Sequence, residues 1–272
     1  MNGIFRQSVV LDDSSERHPG GWFNEIIPDR KGSRMKIQEY NPRDWKSHPP
    51  YVFKGYGSSV KRGPLKRLVP IEQTLSEITG PLFSDIRLEP GENDLTRTAN
   101  TGKEAMGERL VVVGRVLDEN ERPVPNTLIE IWQANAAGRY HHEVDQHNAP
   151  LDPNFIGAGR CVTNDKGEYR YLTIKPGAYP WLNHPNAWRP SHIHLSLFGP
   201  SFVTRLVTQM FFPGDPLLPL DPILNSVPNK SGRQRLIASY AHDVTEPEFA
   251  LGYRFDIVLR GRHATPFEAA GK

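Results

Sequence analysis

The sequence lacks most features of secreted, membrane-embedded or nucleic-acid-binding proteins. Its 272 residues include a single cysteine, Cys161, so an intramolecular disulfide is impossible and a reducing compartment, the cytoplasm, is expected. No stretch has the pattern of a signal peptide or the length of a membrane span. A net charge of +2 gives no signal for binding to nucleic acid or to an anionic membrane. We therefore expect a globular protein whose partners include neither membrane nor nucleic acid.

Helical periodicity is equally scarce. Within residues 1–103, only residues 71–78 have a helical pattern, and this piece ends at a Gly-Pro pair. We predict that residues 1–103 form a long, mostly irregular N-terminal arm that ends in a polar join. The arm carries Tyr51, Phe53 and Tyr56 and is too apolar for a disordered tail, so we expect it to pack on the main domain or on a partner chain.

Residues 104–272 show the short apolar runs of an all-β protein. Such runs occur at residues 109–116, 127–134, 160–163, 168–174, 192–198, 204–212 and 252–260. The 25 prolines and 23 glycines suit short strands joined by structured loops, including a hairpin-like turn at residues 164–167. The pattern predicts a β-sandwich. Gly114-x-Val116-x-Asp118 and Pro176-Gly177 resemble motifs of the prealbumin-like sandwich modules, which implies a fold and no activity.

The most informative stretch is residues 179–194, which reads YPWLNHPNAWRPSHIH and continues into an apolar run. Side chains alternate between faces along a strand, so His192 and His194 share one face while Ile193 and Leu195 share the other. The apolar face can pack on a core while two imidazoles stand side by side. A bare His-x-His also occurs on ordinary polar surfaces, so this pattern needs further ligands before it indicates a metal site.

Two tyrosines complete a set of candidate ligands for one metal ion: Tyr140, Tyr179, His192 and His194. Two neutral imidazoles alone suit zinc, copper or ferrous iron. A phenol has a solution pKa near ~10, so binding two phenolates at neutral pH requires a strongly Lewis-acidic ion such as ferric iron. A zinc or ferrous site with Asp145 or Glu143 as a carboxylate ligand is the alternative. Each tyrosine taken alone also fits an ordinary aromatic position.

Three motifs make the sequence similar to a known family, the intradiol ring-cleavage dioxygenases. They are Gly138-Arg139-Tyr140-x-His142, Pro176-Gly177-x-Tyr179-Pro180-Trp181 and Trp188-Arg189-Pro190-x-His192-Ile193-His194. The resemblance implies a non-haem Fe(III) cofactor and cleavage of a catechol ring by O2. It implies that Tyr140 and His194 are equatorial ligands together with hydroxide, and that Tyr179 and His192 are axial ligands.

The same resemblance implies roles for the surrounding residues. Tyr179 would leave the metal and take a substrate proton, and Arg189 would lie beside the bound ring and stabilise its negative charge. Asp145 would accept a hydrogen bond near Tyr179 without binding the metal itself. The substrate-binding positions would be Tyr56, Trp132, Trp181, Arg189, Gln209 and Ile223.

Motifs in the N-terminal arm indicate which members of the family the sequence resembles most. Tyr56-Gly57-Ser58 and Ser76-Glu77-Ile78-Thr79-Gly80-Pro81 resemble the iron-bearing subunit of the two-subunit members. This implies 3,4-dihydroxybenzoate as substrate, 3-carboxy-cis,cis-muconate as product, and an αβ oligomer in which a homologous α subunit forms the other side of the site. Residues 1–103 would supply subunit contacts and part of the pocket, and residues 104–272 the catalytic sandwich.

Two other functions remain open at this point. One is cleavage of catechol or hydroxyquinol by a homodimer, although those relatives carry a helical N-terminal region that residues 1–103 do not show. The other is a non-catalytic prealbumin-like binding module.

Overall fold

The structure, a computed structural model, describes residues 44–64, 66, 88–199 and 205–268. Residues 43–272 form one compact unit, and the predicted helix at residues 71–78 lies outside the described residues. Within those ranges the chain forms eleven strands: β1 (Arg109–Leu117), β2 (Leu128–Trp132), β3 (Ala158–Val162), β4 (Glu168–Ile174), β5 (Tyr179–Pro180), β6 (Trp188–Arg189), β7 (His192–Phe198), β8 (Arg205–Phe211), β9 (Ser239–Tyr240), β10 (Leu251–Arg254) and β11 (Ile257–Val258).

Helices are few and short in the described part of the chain. The α-helices are α1 (Gly57–Arg62), α2 (Pro222–Asn225) and α3 (Lys230–Gln234), and 3-10 turns occupy Trp45–Ser47, Leu218–Leu220 and His242–Val244. None of the helices in these ranges is long and apolar enough to cross a membrane. The region between β8 and β9 contains α2 and α3.

One sheet is built around β1. Strand β4 pairs with β1 antiparallel, and β10 and then β11 pair with it in parallel, with β9 antiparallel to β10. The second sheet has the order β3-β2-β7-β8 and is antiparallel throughout. Strands β5 and β6 form a separate two-stranded ribbon.

The two sheets share one hydrophobic core, which makes the fold a β-sandwich as predicted. A single cluster of buried side chains draws members from both sheets, including Leu110, Val112 and Tyr171 from one and Ile129 and Ile193 from the other. Strands of both sheets therefore turn alternate residues towards the same interior.

The predicted final strand, residues 252–260, is divided in the structure. Its side chains alternate between the interior and the surface, since Phe255 is buried and Arg254 is exposed. The ladder is interrupted at Asp256, whose Oδ1 accepts the backbone N–H of Arg115 at 2.8 Å. At this position the Arg115 N–H bonds to a side-chain oxygen and not to a backbone carbonyl. The predicted single strand is therefore divided into β10 and β11.

The predicted turn at residues 164–167 is present, but it joins strands of different sheets. Gly167 adopts φ +70°, and its N–H donates to the carbonyl of Asn164 at 2.8 Å. The chain then passes from β3 in one sheet to β4 in the other. The turn is therefore a crossing between the layers of the sandwich.

Candidate metal centre and substrate pocket

Strand β7 has the two-faced character that its sequence predicts. Ile193, Leu195 and Leu197 have no exposed surface and lie in the core between the sheets. Alternation along the strand turns His192 and His194 to the opposite face. Both imidazoles are nevertheless buried, which requires other segments to cover this outer face.

The neighbouring strands supply part of that cover. The register places Trp132 of β2 and Gln209 of β8 on either side of His194. The Trp132 ring stacks on the His194 imidazole with centroids 4.8 Å apart and an interplanar angle of 9°. Trp132 therefore fixes the plane of this imidazole. It also borders an open cleft of about 930 Å³ on the outer face of β2 and β3.

The β5–β6 ribbon brings Tyr179 to the histidines. Tyr179 lies opposite Arg189 in the ribbon, and Arg189 is three residues before His192. The Tyr179 Oη lies 3.3 Å from His192 Nε2 and 3.4 Å from Arg189 Nη1. The Tyr-Pro-Trp and Trp-Arg-Pro motifs are thus two strands of one small ribbon beside β7.

Tyr140 reaches the same point from the loop that follows β2. Its Oη lies 3.1 Å from His194 Nε2, and its ring meets that of Tyr179 edge to face with centroids 5.4 Å apart. Asp145 holds this loop, because Oδ2 accepts the Tyr140 N–H at 2.8 Å and Oδ1 accepts the His147 N–H at 2.9 Å. Asp145 is expected to act near Tyr179, and the hydrogen bonds that it accepts here support the backbone of Tyr140 and His147.

Two glycines explain how the tyrosine loops meet. Gly138 has φ +80°, and a Cβ there would lie 2.2 Å from the carbonyl oxygen of Ala178. A Cβ on Gly177 would lie 2.5 Å from the carbonyl oxygen of Ala136. Only glycine fits such close backbone contacts. These contacts place Tyr140, two residues after Gly138, against Tyr179.

Both histidines present Nε2 to this meeting point because Nδ1 is engaged elsewhere. His192 Nδ1 lies 2.7 Å from the carbonyl of Pro190, and His194 Nδ1 lies 3.3 Å from Glu268 Oε2. A proton on each Nδ1 satisfies these acceptors and makes Nε2 the unprotonated nitrogen, which can bind a metal ion. Histidines that bind metals in proteins characteristically donate their other ring N–H in this way.

The protonation states suit a strongly charged cation. Burial raises the pKa of Tyr140 well above its ordinary value, and nearby Tyr179 raises it further. Burial and then the charge of Arg189 lower the pKa of His192 well below its ordinary value, so this imidazole is neutral. A neutral His192 imidazole and a Tyr140 phenol that ionises only beside concentrated positive charge fit ferric iron. A metal at His192 Nε2 would replace the hydrogen bond that Arg189 Nη1 donates to it at 2.9 Å.

The alternative with a carboxylate ligand finds no geometric support. Within the described residues, no three or more side chains of His, Cys, Asp and Glu gather as a possible metal site. Glu143 is exposed, and Asp145 is bound to backbone N–H groups. The potential ligand set around the two histidines is therefore completed by phenols.

Arg189 is a buried cation that is paired with a buried counter-ion, Asp221. The sequence predicts a role for Arg189 but does not identify Asp221. The Arg189 side chain is 2% exposed and that of Asp221 is 0% exposed, and Arg189 Nε donates to Asp221 Oδ2 at 2.8 Å. Nη2 donates to Gln209 Oε1 at 2.7 Å. Burial opposes the charge of Arg189, but the Asp221 carboxylate outweighs burial and raises the pKa of the guanidinium. The arrangement holds a permanent positive charge beside Tyr179.

Asp221 also begins helix α2 and so connects Arg189 to the predicted pocket. Its Oδ1 accepts the N–H groups of Ile223 and Leu224 at 2.9 and 2.8 Å, as an N-cap does. The Asp-Pro pair at residues 221 and 222 is a local signal for a helix start. Nothing local indicates the pairing with Arg189, because the two residues are 32 positions apart.

The predicted pocket residues Tyr56, Trp181 and Ile223 gather beside this network. Tyr56 and Ile223 form one buried cluster against which Phe53 and Trp181 pack. The Tyr56 and Trp181 ring centroids are 5.2 Å apart, and the Arg189 guanidinium carbon lies 5.4 Å from the Trp181 ring centroid. The wall they form is apolar and aromatic, with a cation at its edge.

A polar clip fastens the arm to this wall. Asn183 Oδ1 accepts the N–H of Ser58 at 2.8 Å, and Asn183 Nδ2 donates to the Ser58 hydroxyl. The Gly57 N–H donates to the Asn183 carbonyl at 3.2 Å. Helix α1 is therefore held against the loop between β5 and β6, which positions Tyr56. Sequence reasoning did not single out Asn183, and its spacing from Ser58 carries no local pattern.

Comparison with known proteins defines the class. A family model described as "Dioxygenase" matches residues 78–261, and one described as "Protocatechuate 3,4-dioxygenase beta subunit N terminal" matches residues 41–74. The chain belongs to the dioxygenase family.

Individual relatives narrow this further. The chain is 62% identical over 227 residues to the protocatechuate 3,4-dioxygenase beta chain of Burkholderia cepacia, a match that covers 84% of this chain and 96% of the relative. It is 32% identical to the protocatechuate 3,4-dioxygenase alpha chain of Pseudomonas putida, over 60% of this chain and 77% of that one. It is 33% identical to a hydroxyquinol 1,2-dioxygenase of Rhizobium sp. (strain MTP-10005), over 46% and 44% of the two chains. The predicted resemblance to the beta subunit is confirmed.

Proposed function

We propose that this chain is the iron-bearing subunit of a protocatechuate 3,4-dioxygenase. It cleaves 3,4-dihydroxybenzoate between its two hydroxyl-bearing carbons and yields 3-carboxy-cis,cis-muconate. Both atoms of O2 enter the product, so the reaction needs no external reductant. The observation that carries the proposal is the meeting of two phenol oxygens with two imidazole Nε2 atoms, at 3.1 Å for Tyr140 and His194 and 3.3 Å for Tyr179 and His192.

Tyr140, Tyr179, His192 and His194 would hold the iron. When bound, Fe(III) would bind both oxygens of the catechol and make its ring reactive towards O2. Two phenolates and a hydroxide balance the charge of a trivalent cation, so the buried site carries little net charge. The Nδ1 contacts of both histidines hold the imidazoles ready for this role.

Tyr179 and Arg189 would manage the protons and charge of the substrate. A catechol loses two protons as it becomes a dianion, and the Tyr179 phenolate and the hydroxide would each take one of them. Arg189 lies 3.4 Å from the Tyr179 oxygen and is held in place by Asp221. Its fixed positive charge would stabilise the negative charge that the ring acquires, at no cost in reorganisation.

The pocket wall would select the substrate ring. Tyr56, Trp181 and Ile223 offer apolar surface to the ring, and the Tyr56 hydroxyl would hydrogen-bond its carboxylate. Trp132 would hold His194 beside the ring, and Gln209 would line the pocket next to Arg189. Further groups for the carboxylate would come from a homologous α subunit.

The arm would make the subunit contacts. We assign residues 1–103 to these contacts and to part of the pocket, and residues 104–272 to the catalytic sandwich. The match of residues 41–74 to a beta-subunit N-terminal model and the similarity to an alpha chain support an αβ oligomer. The described part of the arm already contributes Tyr56 to the wall.

A visible absorption spectrum tests the proposal. Phenolate-to-Fe(III) charge transfer should colour the purified protein, copurified with its α partner, and 3,4-dihydroxybenzoate added without O2 should shift the band. Colour with a shift only for catechol or hydroxyquinol would keep the iron site and overturn the substrate. A colourless protein with zinc or no metal would overturn the ligand set and favour a binding module.

Tyr179→Phe tests the base role. The variant should retain iron on three ligands but lose part of the charge-transfer intensity. Substrate should then bind more slowly under anaerobic conditions, because one base is gone. Stopped-flow absorption measures that rate, and a rate equal to that of the wild type would contradict the role of Tyr179.

A further inference from the structure

Near its C-terminus, the chain places a carboxylate against one of the proposed metal ligands. Glu268 Oε2 lies 3.3 Å from His194 Nδ1, on the side of the imidazole opposite Tyr140. The two side chains are 23% and 11% exposed, so water only partly screens their interaction. Neither motif spacing nor periodicity indicates this contact, because the residues are 74 positions apart.

Backbone contacts to the edge strand β8 hold Glu268 in place. The Glu268 N–H donates to the Val207 carbonyl at 2.7 Å, and the Thr208 hydroxyl donates to the Pro266 carbonyl at 2.7 Å. The segment thus runs along β8, the strand next to β7. A residue fixed there can reach His194 across the sheet.

Two further contacts anchor the same segment. The Thr265 N–H donates to the Val258 carbonyl at 2.8 Å, and the Val258 N–H donates to the Thr265 hydroxyl at 3.0 Å. The Phe267 ring stacks on His48 of the arm with centroids 4.8 Å apart. Glu268 is therefore the end of a built segment, tied to three parts of the fold.

The two histidines differ in what holds Nδ1. His192 donates to the Pro190 carbonyl, a neutral dipole two residues away in sequence. His194 faces the side chain of an acidic residue, Glu268, 74 positions away in sequence. A carboxylate that accepts the Nδ1 proton orients the ring and makes Nε2 a stronger electron donor to a metal.

We propose that Glu268 is a positioning residue that orients His194 and strengthens its bond to the iron. The inference rests on the proposed function, because it requires a metal at His194 Nε2. The segment that carries Glu268 would thus influence how tightly the iron is bound. Glu268 itself touches neither substrate nor metal.

The expected effects follow from electron donation. Without the carboxylate, His194 donates less to Fe(III), and the iron becomes more electrophilic. The phenolate charge-transfer band should then move to longer wavelength, and iron should leave more readily. Loss of a partner of this kind typically lowers metal affinity about 10-fold to 100-fold.

The experiment compares Glu268→Gln and Glu268→Ala with wild type in the complete αβ protein. Gln keeps the shape and a hydrogen-bond acceptor but removes the charge, whereas Ala removes both. Glu246→Gln is the matched control, because that exposed carboxylate pairs with Arg170 away from the site. The readouts are iron per chain, the position of the band, and the rate of iron loss to a strong chelator.

The possible results distinguish the role of Glu268 from the proposed function of the whole chain. Faster iron loss in the order Ala, then Gln, then wild type, with a band at longer wavelength in both variants and an unchanged control, supports the role. If wild type binds iron and both variants match it in the rate of iron loss and in band position, the role of Glu268 is overturned. A wild type without iron or colour overturns the proposed function itself. Thermal unfolding and circular dichroism show whether Glu268→Ala folds, and Glu268→Gln carries the test if it does not.

Discussion

Two stacked tyrosines in the core should respond to the same mutation with opposite signs. Tyr169 and Tyr171 are two positions apart on β4, both are buried, and their rings are stacked with centroids 6.2 Å apart. Burial raises the pKa of both hydroxyls well above the ordinary value, so both are neutral. The Tyr169 hydroxyl donates to the Phe255 carbonyl at 2.5 Å. The Tyr171 hydroxyl has no hydrogen-bond partner among the described residues.

Tyr169→Phe removes a hydrogen bond that joins β4 to the segment between β10 and β11. The Phe255 carbonyl then loses this donor in a place where water cannot replace it. Leaving a buried polar group without its partner costs about 1–3 kcal/mol, so we expect the free energy of unfolding to fall by that amount. This corresponds to roughly 2–4 °C in melting temperature for each kcal/mol in a domain of this size.

Tyr171→Phe removes a hydroxyl whose desolvation nothing offsets. The oxygen loses only dispersion contacts of about 0.1–0.2 kcal/mol each. We therefore expect the free energy of unfolding to rise by about 1 kcal/mol. The two variants should then differ by at least about 2 kcal/mol, although they delete the same atom from neighbouring positions.

Thermal unfolding of wild type, both single variants and the double variant measures these differences. The content of metal and of any partner chain must be the same in every sample, because a ligand that binds the folded state raises its apparent stability. Equal destabilisation by the two mutations would refute the reasoning, since it would mean that the Tyr171 hydroxyl is satisfied. The double variant reports any coupling through the stacked rings.

Three further predictions concern the site and the surface. Gly138→Ala should lower iron content and colour, because its Cβ meets a backbone carbonyl, whereas Gly91→Ala, with a similarly positive φ but open space, should not; equal iron in both would contradict this. Asp221→Asn should cost about 3–5 kcal/mol in thermal unfolding, because it leaves the buried Arg189 without a counter-ion; a loss below ~1 kcal/mol, the range of surface pairs, would contradict burial as the cause. The hydrogen bond from Arg160 lowers the pKa of Glu92 below the ordinary 4.5. The difference in unfolding free energy between wild type and Glu92→Gln should therefore be complete above pH 4.5 and should shrink as the pH falls further. A difference that does not change with pH would show that the Glu92 carboxylate is not its source.

Local rules predicted which face of β7 carries the two histidines, because the pattern is complete within a few residues of the strand. Period-two alternation separates His192 and His194 from the core residues between them, and the core confirms it. The tyrosine loops were recognised by their motifs, and the close backbone contact at Gly138 explains why such motifs need glycine. These features could be predicted because each one depends on residues that are close together in the sequence.

The contacts that sequence reasoning missed are long-range ones. Asp221 reaches Arg189, Asn183 reaches Ser58, and Glu268 reaches His194, each through the tertiary fold. No periodicity relates such partners, since the packing of whole segments determines which polar groups meet. The division between β10 and β11 has the same origin, because the Asp256 side chain bonds to a distant strand.

The pairing of β1 with β10 and β11 also has a consequence for biosynthesis. β1 is the first strand of the described chain to be translated, yet one of its edges is completed by strands about 140 residues later, as the 141-residue separation of Arg115 and Asp256 shows. Until those residues leave the ribosome, an apolar strand edge stays open to other chains. Folding of this sandwich must therefore follow most of its translation. We expect it to be slow, because pairing between strands far apart in sequence slows folding. Expression at lower temperature, which slows synthesis and aggregation together, should raise the yield of folded protein.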